Sequence, residues 1–326
     1  MFLCILTCFP GAAQYRKLSF QQPKMGSLFN LVIYCQDSVE AANAAAKAYR
    51  LIDTLNEVYS DYLPASELNR LCAEAGNGRW IKVSEPLFHI LVVAWHASEI
   101  SNGSFDVTAG PLIRLWRKAR REKILPSRDS LQLAKKLSGY RLMELDTIQK
   151  TIRLKKAGMK LDLGGIAKGE TAQRVCDRLR ESGFPYSLLD AGGDIVAGSV
   201  PPGVDGWHVA INLPESEETM QYQLLMKEQA VTTSGDLYQY VELNGKRYSH
   251  IVDPVSGYAI TNSRNVTVIS KKGTEADWLT KACSILPVSK ALRLVKRFPA
   301  TEVQIAILKD GKPVYYRSTG FTSYLK

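Results

Sequence analysis

Lys160-Leu-Asp-Leu-Gly-Gly-Ile-Ala-Lys-Gly-Glu-Thr-Ala-Gln-Arg174 is the stretch around which the chain is organised. It reads as a short strand over 160–163, a glycine turn at Gly164 and Gly165, and a helix running to about Glu181. The glycines let a ligand approach the backbone with no Cβ in the way. The helix start leaves amide N–H groups free, and those suit a phosphate. Asp162 stands where the strand ends. Lys168 stands in the first helical turn, where the helix dipole gives a cation nothing. An anionic ligand would account for that lysine, and so would plain solvation. The turn lacks both the G-x-G-x-x-G of a dinucleotide fold and the G-K-[ST] of a P-loop.

The rest of the chain is ordinary in composition. Its 326 residues are 45% hydrophobic and 23% charged, enough to bury a core without disulfides or a structural metal. A net charge of +10 permits nucleic acid, anionic lipid or phosphate ligands. The basic run over 114–123 has six basic residues and one acid, with no aromatic interleaving of the kind that stacks on single strands. It reads as a solvated helix, with no nucleic-acid partner. The six cysteines form no Cys-x-x-Cys pair, which argues against zinc. Cys35, Cys72, Cys176 and Cys283 sit in patterned segments and read as buried apolar residues.

Residues 1–20 read as a leader. An apolar run over 2–9 precedes Gly11-Ala12-Ala13, a small-residue cleavage pattern, although no Lys or Arg precedes the run. Cys8 is a lipid-acceptor candidate in a poor lipobox, and the run is too short to span a bilayer.

Beyond it, 28–35 reads as a strand and Asp37 or Ser38 as the cap of a helix to about Tyr59, with Val39, Ala42, Ala46, Tyr49, Ile52 and Val58 on its apolar face. Ser66 caps a short helix, and Ser84 a long one with Pro86 in its first turn. His89 and His96 on that helix are spaced too widely for a metal pair. Short strands follow over 143–145 and 151–155, then over 187–190, 195–197, 207–213, 221–226 and 230–232. Asn244-Gly245 marks a hairpin between 238–243 and 246–251. A strand over 264–270 and a helix over 274–286 precede a terminal helix and two strands. Strands in antiparallel pairs with helices between them, and no compositional break, give one α+β domain over 21–326.

Several polar, glycine-bearing patches accompany the opening one: Ser104-Phe-Asp106, Asp190-Ala-Gly-Gly-Asp194, Thr232-Thr-Ser-Gly-Asp236 and Tyr248-Ser-His-Ile-Val-Asp-Pro-Val-Ser-Gly257. Turn formation accounts for much of them. It does not account for His250, at a strand end and followed by Asp253, which suits a general acid or base. The Asp and Thr of the loop over 104–112 answer no evident structural need.

These segments, in this order, resemble the ApbE family of FAD:protein FMN transferases. The matching pieces are Ser60-Asp-Tyr62, Ser66-Glu-Leu68, Gly103-Ser-Phe-Asp-Val-Thr-Ala-Gly-Pro-Leu112, Leu161-Asp-Leu-Gly-Gly-Ile-Ala-Lys-Gly169, Asp190-Ala-Gly-Gly-Asp194, Thr233-Ser-Gly-Asp236, His250-Ile-Val-Asp-Pro254 and Ala276-Asp277.

The resemblance implies an α+β fold of mixed, largely antiparallel sheets with packed helices. It implies Mg²⁺-dependent transfer of FMN from FAD to a Ser or Thr hydroxyl of an acceptor flavoprotein, with release of AMP. The alternatives are hydrolysis of FAD to FMN and AMP, or a weakened FAD-binding protein. By motif, FAD falls to Met25, Tyr62, Ser104, Phe105, Asp106, Asp162, Lys168 and Ile251. The metal falls to the Gly165 carbonyl and Asp277 with Thr274 nearby, and proton transfer to His250. Family habit implies an exported protein, periplasmic or at the inner membrane, touching the membrane only through a lipid anchor or its acceptor. Two positions depart: Leu237 follows Ser-Gly-Asp where the family has Tyr, and Lys281 stands where the family has a metal-binding Thr. The second departure implies weaker Mg²⁺ binding.

Overall fold

A computed structural model describes residues 15–212, 221–235, 240–309 and 312–326. One large sheet carries the fold. It holds β1 (Arg16–Lys24), β2 (Ser27–Cys35), β6 (Ser187–Ala191), β7 (Asp194–Ala197), β10 (Ala230–Gly235), β13 (Arg264–Ser270), β14 (Glu302–Lys309) and β15 (Lys312–Arg317), in that spatial order. Every neighbouring pair in it is antiparallel. Three small sheets surround it: β3 (Ile81–Lys82) and β4 (Met143–Asp146) flank β5 (Thr151–Leu154), β8 (Trp207–Asn212) pairs with β9 (Gln221–Met226), and β11 (Tyr240–Leu243) pairs with β12 (Lys246–Ser249).

The helices among the described residues are α1 (Ser38–Tyr59), α2 (Glu67–Ala73), α3 (Glu85–Ile100), α4 (Gly110–Glu122), α5 (Arg128–Lys136), α6 (Ala167–Glu181), α7 (Gly273–Ile285) and α8 (Val288–Val295). The main core joins one face of the large sheet (Phe29, Leu31, Ile33, Leu189, Val266, Val268) to α1, α3, α6 and α7. The other face (Val32, Leu188, Val231, Ile269) packs on β8, β9 and Phe321. A third cluster joins α4 and α5 to Val252 and Ala259 beyond the β12 strand. The architecture is therefore the expected α+β, with both faces of the central sheet covered.

Local signals hold where the partner is local. Asp37, Ser66 and Ser84 cap α1, α2 and α3 through their own side chains. Asn244 and Gly245 take φ of 52° and 70°, the positive values a two-residue hairpin turn needs. Other expectations fail for reasons of packing. The buried face of α1 is Ala41, Ala44, Ala45, Ala48, Tyr49, Ile52 and Leu55, while Val39 is exposed. Small alanines let the helix sit close to the sheet. The segment 160–163 joins no sheet: Leu161 N–H donates to Cys72 Sγ and Asp162 N–H to Val107 O, so its backbone is satisfied by loops. The Thr-Thr-Ser-Gly run is a central strand, β10, and not a turn. Asp236 and Leu237 lie outside the described residues, as do the chain-end residues 1–14. The leader boundary drawn at residue 20 falls inside β1, which pairs with β2 along its length.

Gly169 marks the α6–α7 crossing. A Cβ there would lie 2.3 Å from Gly273 O and 2.7 Å from Asp277 Cβ. Gly169→Ala must push two helices apart at backbone level. It is expected to cost roughly 1–3 kcal/mol, read by chemical denaturation. An unchanged denaturation midpoint would show that the crossing has slack.

Cys72, Cys176 and Cys283 are buried as expected, and Cys35 is partly exposed. Burial pushes the Cys176 and Cys283 thiols up to about 12 from an ordinary 9.0. The unfolded chain ionises them first, so their contribution to stability is complete below about 9 and is lost as the pH rises toward 12. At pH 8, native-state alkylation with peptide mapping should leave both unmodified, and modification of either would mean that its helix opens.

Candidate active site

The start of α6 is where segments distant in sequence meet. Asp162 is buried just before it, with Oδ1 accepting from Gly164 N–H at 2.8 Å and Oδ2 from Arg117 Nη2 at 2.6 Å. The other arm of Arg117 is bonded to Asp61. Tyr62, 73% exposed, lies over this guanidinium at 4.5 Å. Burial works against the charge on Arg117, and its two carboxylates outweigh that, raising its pKa. Arg117 belongs to the run whose sequence reads as a solvated helix, yet it is a bridge between two buried carboxylates. It sits next to Trp116 at the border of the buried stripe Leu112, Trp116 and Ala119. That border position is the only trace of its role in the sequence.

Ser104 and Phe105 are buried in the loop after α3, where Ser101 Oγ accepts from Phe105 N–H. Phe105 packs on Trp278 of α7. Asp106 has the structural task that the sequence did not disclose. Its Oδ1 takes the amide and hydroxyl of Thr108, and its Oδ2 takes the amide of Tyr140. The carboxylate is spent on holding the shape of the loop. Met25 forms the β1–β2 turn at φ 47° and packs on the main core. Ser27, beside it, abuts Gly192.

Gly192 O in turn receives Lys168 Nζ at 3.4 Å, and Asp194 Oδ2 pairs with the same nitrogen at 2.6 Å. The lysine is thus neither simply solvated nor uncommitted. Burial opposes its charge, and Asp194 and Asp277 together overcome that and raise its pKa. The second oxygen of Asp194 is buried with no partner.

Asp277, on α7, is fully buried. Its Oδ2 accepts from Gly169 N–H at 3.1 Å and its Oδ1 from Lys281 Nζ at 3.0 Å. Lys281 Nζ also donates to Thr280 Oγ1 at 3.0 Å. The lysine stem crosses Gly165, where a Cβ would stand 3.0 Å from Lys281 Cγ. Burial, then the charge of Asp194, raises the pKa of Asp277, and Lys281 and Lys168 work the other way. Thr274 turns from this carboxylate to donate to Glu170 Oε2 at 2.5 Å, within a seam that Arg174 completes. His89 stands 3.7 Å from Glu170 on the outside of that seam.

The residues assigned to a metal do not suit one as they stand. Both oxygens of Asp277 have partners, one of them a cation. The Thr274 hydroxyl is committed to Glu170, and a lysine stem lies across Gly165. No group of three or more His, Cys, Asp or Glu able to hold an ion occurs among the described residues. A divalent ion 4 Å from the Lys281 ammonium would meet repulsion on the order of 8 kcal/mol at an effective dielectric of about 20.

His250 follows β12 and is half-buried, and Ile251 after it is buried. Asp253, three residues on, braces the turn that follows. Its two oxygens accept the Val255 and Ser256 amides and fix the turn. The loop is held by Ser249 N–H to Ile260 O and Ile260 N–H to Ile251 O. It reaches the rest of the site where Val255 touches Gly103 and Gly257 meets Leu112, and Trp116 Nε1–H donates to Gly257 O.

The ApbE family model matches residues 25–305. The FAD:protein FMN transferase of Treponema pallidum (strain Nichols) is 29% identical over 316 residues, covering 92% of this chain and 87% of that protein. The protein of the same name from Klebsiella pneumoniae (strain 342) is 30% identical over 268 residues, covering 81% of each. Among solved structures, flavin transferase ApbE from Vibrio cholerae superposes with a TM-score of 0.86 at 25% identity, over 95% of this chain and 100% of that one.

Proposed function

This chain belongs to the ApbE family, and from that premise we propose that it is an FAD:protein FMN transferase. It moves the FMN half of FAD onto a Ser or Thr hydroxyl of an acceptor flavoprotein and releases AMP. The observation that supports this most is the convergence of residues 104–106, 162–165, 190–194 and 277–281 on the start of α6, where the ammonium groups of Lys168 and Lys281 both stand.

The acceptor oxygen attacks the FMN phosphorus, the bond from that phosphorus to the bridging oxygen breaks, and AMP leaves with the bridging oxygen. The proton of the acceptor hydroxyl passes to His250. Charge growing on the phosphoryl oxygens is met by the ammonium groups of Lys168 and Lys281. Phe105 and the Asp106-braced loop flank the start of α6 at Gly165. Tyr62, supported by Arg117, offers an exposed ring face to a flavin or adenine ring.

The acceptor is reached outside the cytoplasm in this reading, on the strength of the apolar run over 2–9. A mature N-terminus still beginning at Met1 in the cytoplasmic fraction would remove that part.

The test is incubation with FAD and an acceptor domain, scoring AMP and flavin that stays on the acceptor after denaturation. Equal amounts of both support transfer. No retained flavin sinks it, and AMP with free FMN in the absence of acceptor would make water the nucleophile.

A further inference from the structure

We propose that the Lys281 ammonium is the resident cation of this site, standing where a divalent metal would otherwise serve, so that FAD is held without one. The inference rests on the flavin-transferase reading for its ligand, and on the geometry around Asp277 for its substance.

Three observations carry it. Lys281 is four residues after Asp277, on the same face of α7, and its Nζ is 3.0 Å from the Asp277 carboxylate. Asp277 is wholly buried, so that contact supplies the positive charge its burial requires. The lysine stem lies across Gly165 at the mouth of α6, which only glycine leaves room for: a Cβ would press on both Lys281 Cγ and Phe105 Cε2. Charge and volume at one position are therefore filled by one side chain. A fifth of the Lys281 side chain remains accessible, so its ammonium can face a phosphate as well as Asp277. Lys168 stands on the other side of the same helix start, paired with Asp194. An incoming pyrophosphate thus finds two ammonium groups at a helix N-terminus, and no metal is needed to bridge it to Asp277.

A protonated lysine offers no lone pair, so it replaces the metal's charge and not its coordination. The site loses the ability to order waters or polarise two phosphates at once. It keeps binding that does not vary with divalent ion concentration.

The experiment has two independent arms on the full chain. In the first, Mg²⁺ and Mn²⁺ are titrated calorimetrically into protein without FAD. The wild type should show no stoichiometric binding, and Lys281→Thr should gain it. In the second, FAD affinity is read by flavin fluorescence in EDTA and in Mg²⁺. The wild type should give the same Kd in both, within about twofold. Lys281→Gln keeps a hydrogen bond to Asp277 while dropping the charge, and should bind FAD roughly tenfold to a hundredfold more weakly in EDTA, the worth of one charge-assisted hydrogen bond. Lys281→Thr should be equally weak in EDTA and recover in Mg²⁺. Wild-type protein that binds Mg²⁺ as tightly as Lys281→Thr, or that needs Mg²⁺ to hold FAD, overturns the proposal. So does Lys281→Gln binding FAD in EDTA as the wild type does. A chain that binds FAD under no condition removes the flavin reading instead, and the metal arm still decides the role of Lys281.

Discussion

His250→Ala should lower flavin transfer at least a hundredfold while leaving FAD affinity within a few-fold of wild type. A positioned base contributes about 10²–10⁴ in rate, and most of that is lost when the imidazole goes. The binding surface should survive because it is built elsewhere: by Lys168 and Lys281 at the start of α6 and by the loop that Asp106 braces. The backbone around His250 should survive too, since Ser249, Ile251, Asp253 and Ile260 hold it through bonds that do not use the ring. The measurement is protein-bound flavin fluorescence after denaturing electrophoresis, set beside an FAD titration. A variant retaining more than a tenth of the wild-type rate would show that some other group takes the proton. Loss of FAD binding in step with rate would make His250 a binding residue.

The second large effect is on stability. Arg117→Met should destabilise the protein by about 3–5 kcal/mol, the usual result of removing one partner from a buried charged network. For a chain of this size that lowers the melting temperature by roughly 4–7 °C. Arg117 bridges Asp61 and Asp162, one arm to each, and their side chains are only 9% and 5% exposed. Without it, two buried carboxylates face each other and Tyr62 loses the plane beneath its ring. Adding Asp162→Asn removes one of the stranded charges and should return part of the lost stability, a coupling that a double-mutant cycle reads directly. Additive effects of the two substitutions would mean that Arg117 acts through its stem, and the network would then carry little. FAD affinity should fall with Arg117→Met as well, because the Asp162–Gly164 bond that shapes the start of α6 shares the same carboxylate.

The sequence by itself determined whatever is closed over three or four residues. Helix caps at Asp37, Ser66 and Ser84 and the Asn244-Gly245 hairpin follow from neighbours along the chain, and all are present. It also determined the family, because the spacing of its glycine and aspartate patches is itself a local record. Lys281 could be flagged for the same reason, being one helical turn from Asp277.

The tertiary structure alone decided the partners. Arg117 reads as one more cation in a basic run until the fold brings Asp61 and Asp162 to it from 56 and 45 residues away. Asp106 seems free for a ligand until Tyr140, 34 residues on, claims its second oxygen. Thr274 looks like a metal neighbour until Glu170 takes its hydroxyl across the α6–α7 seam. Residues 160–163 have the composition of a strand, yet their hydrogen bonds go to Val107 and Cys72. A buried charge or amide must find a partner, and the chain does not state which one. That is settled by which groups close packing brings within about 3 Å.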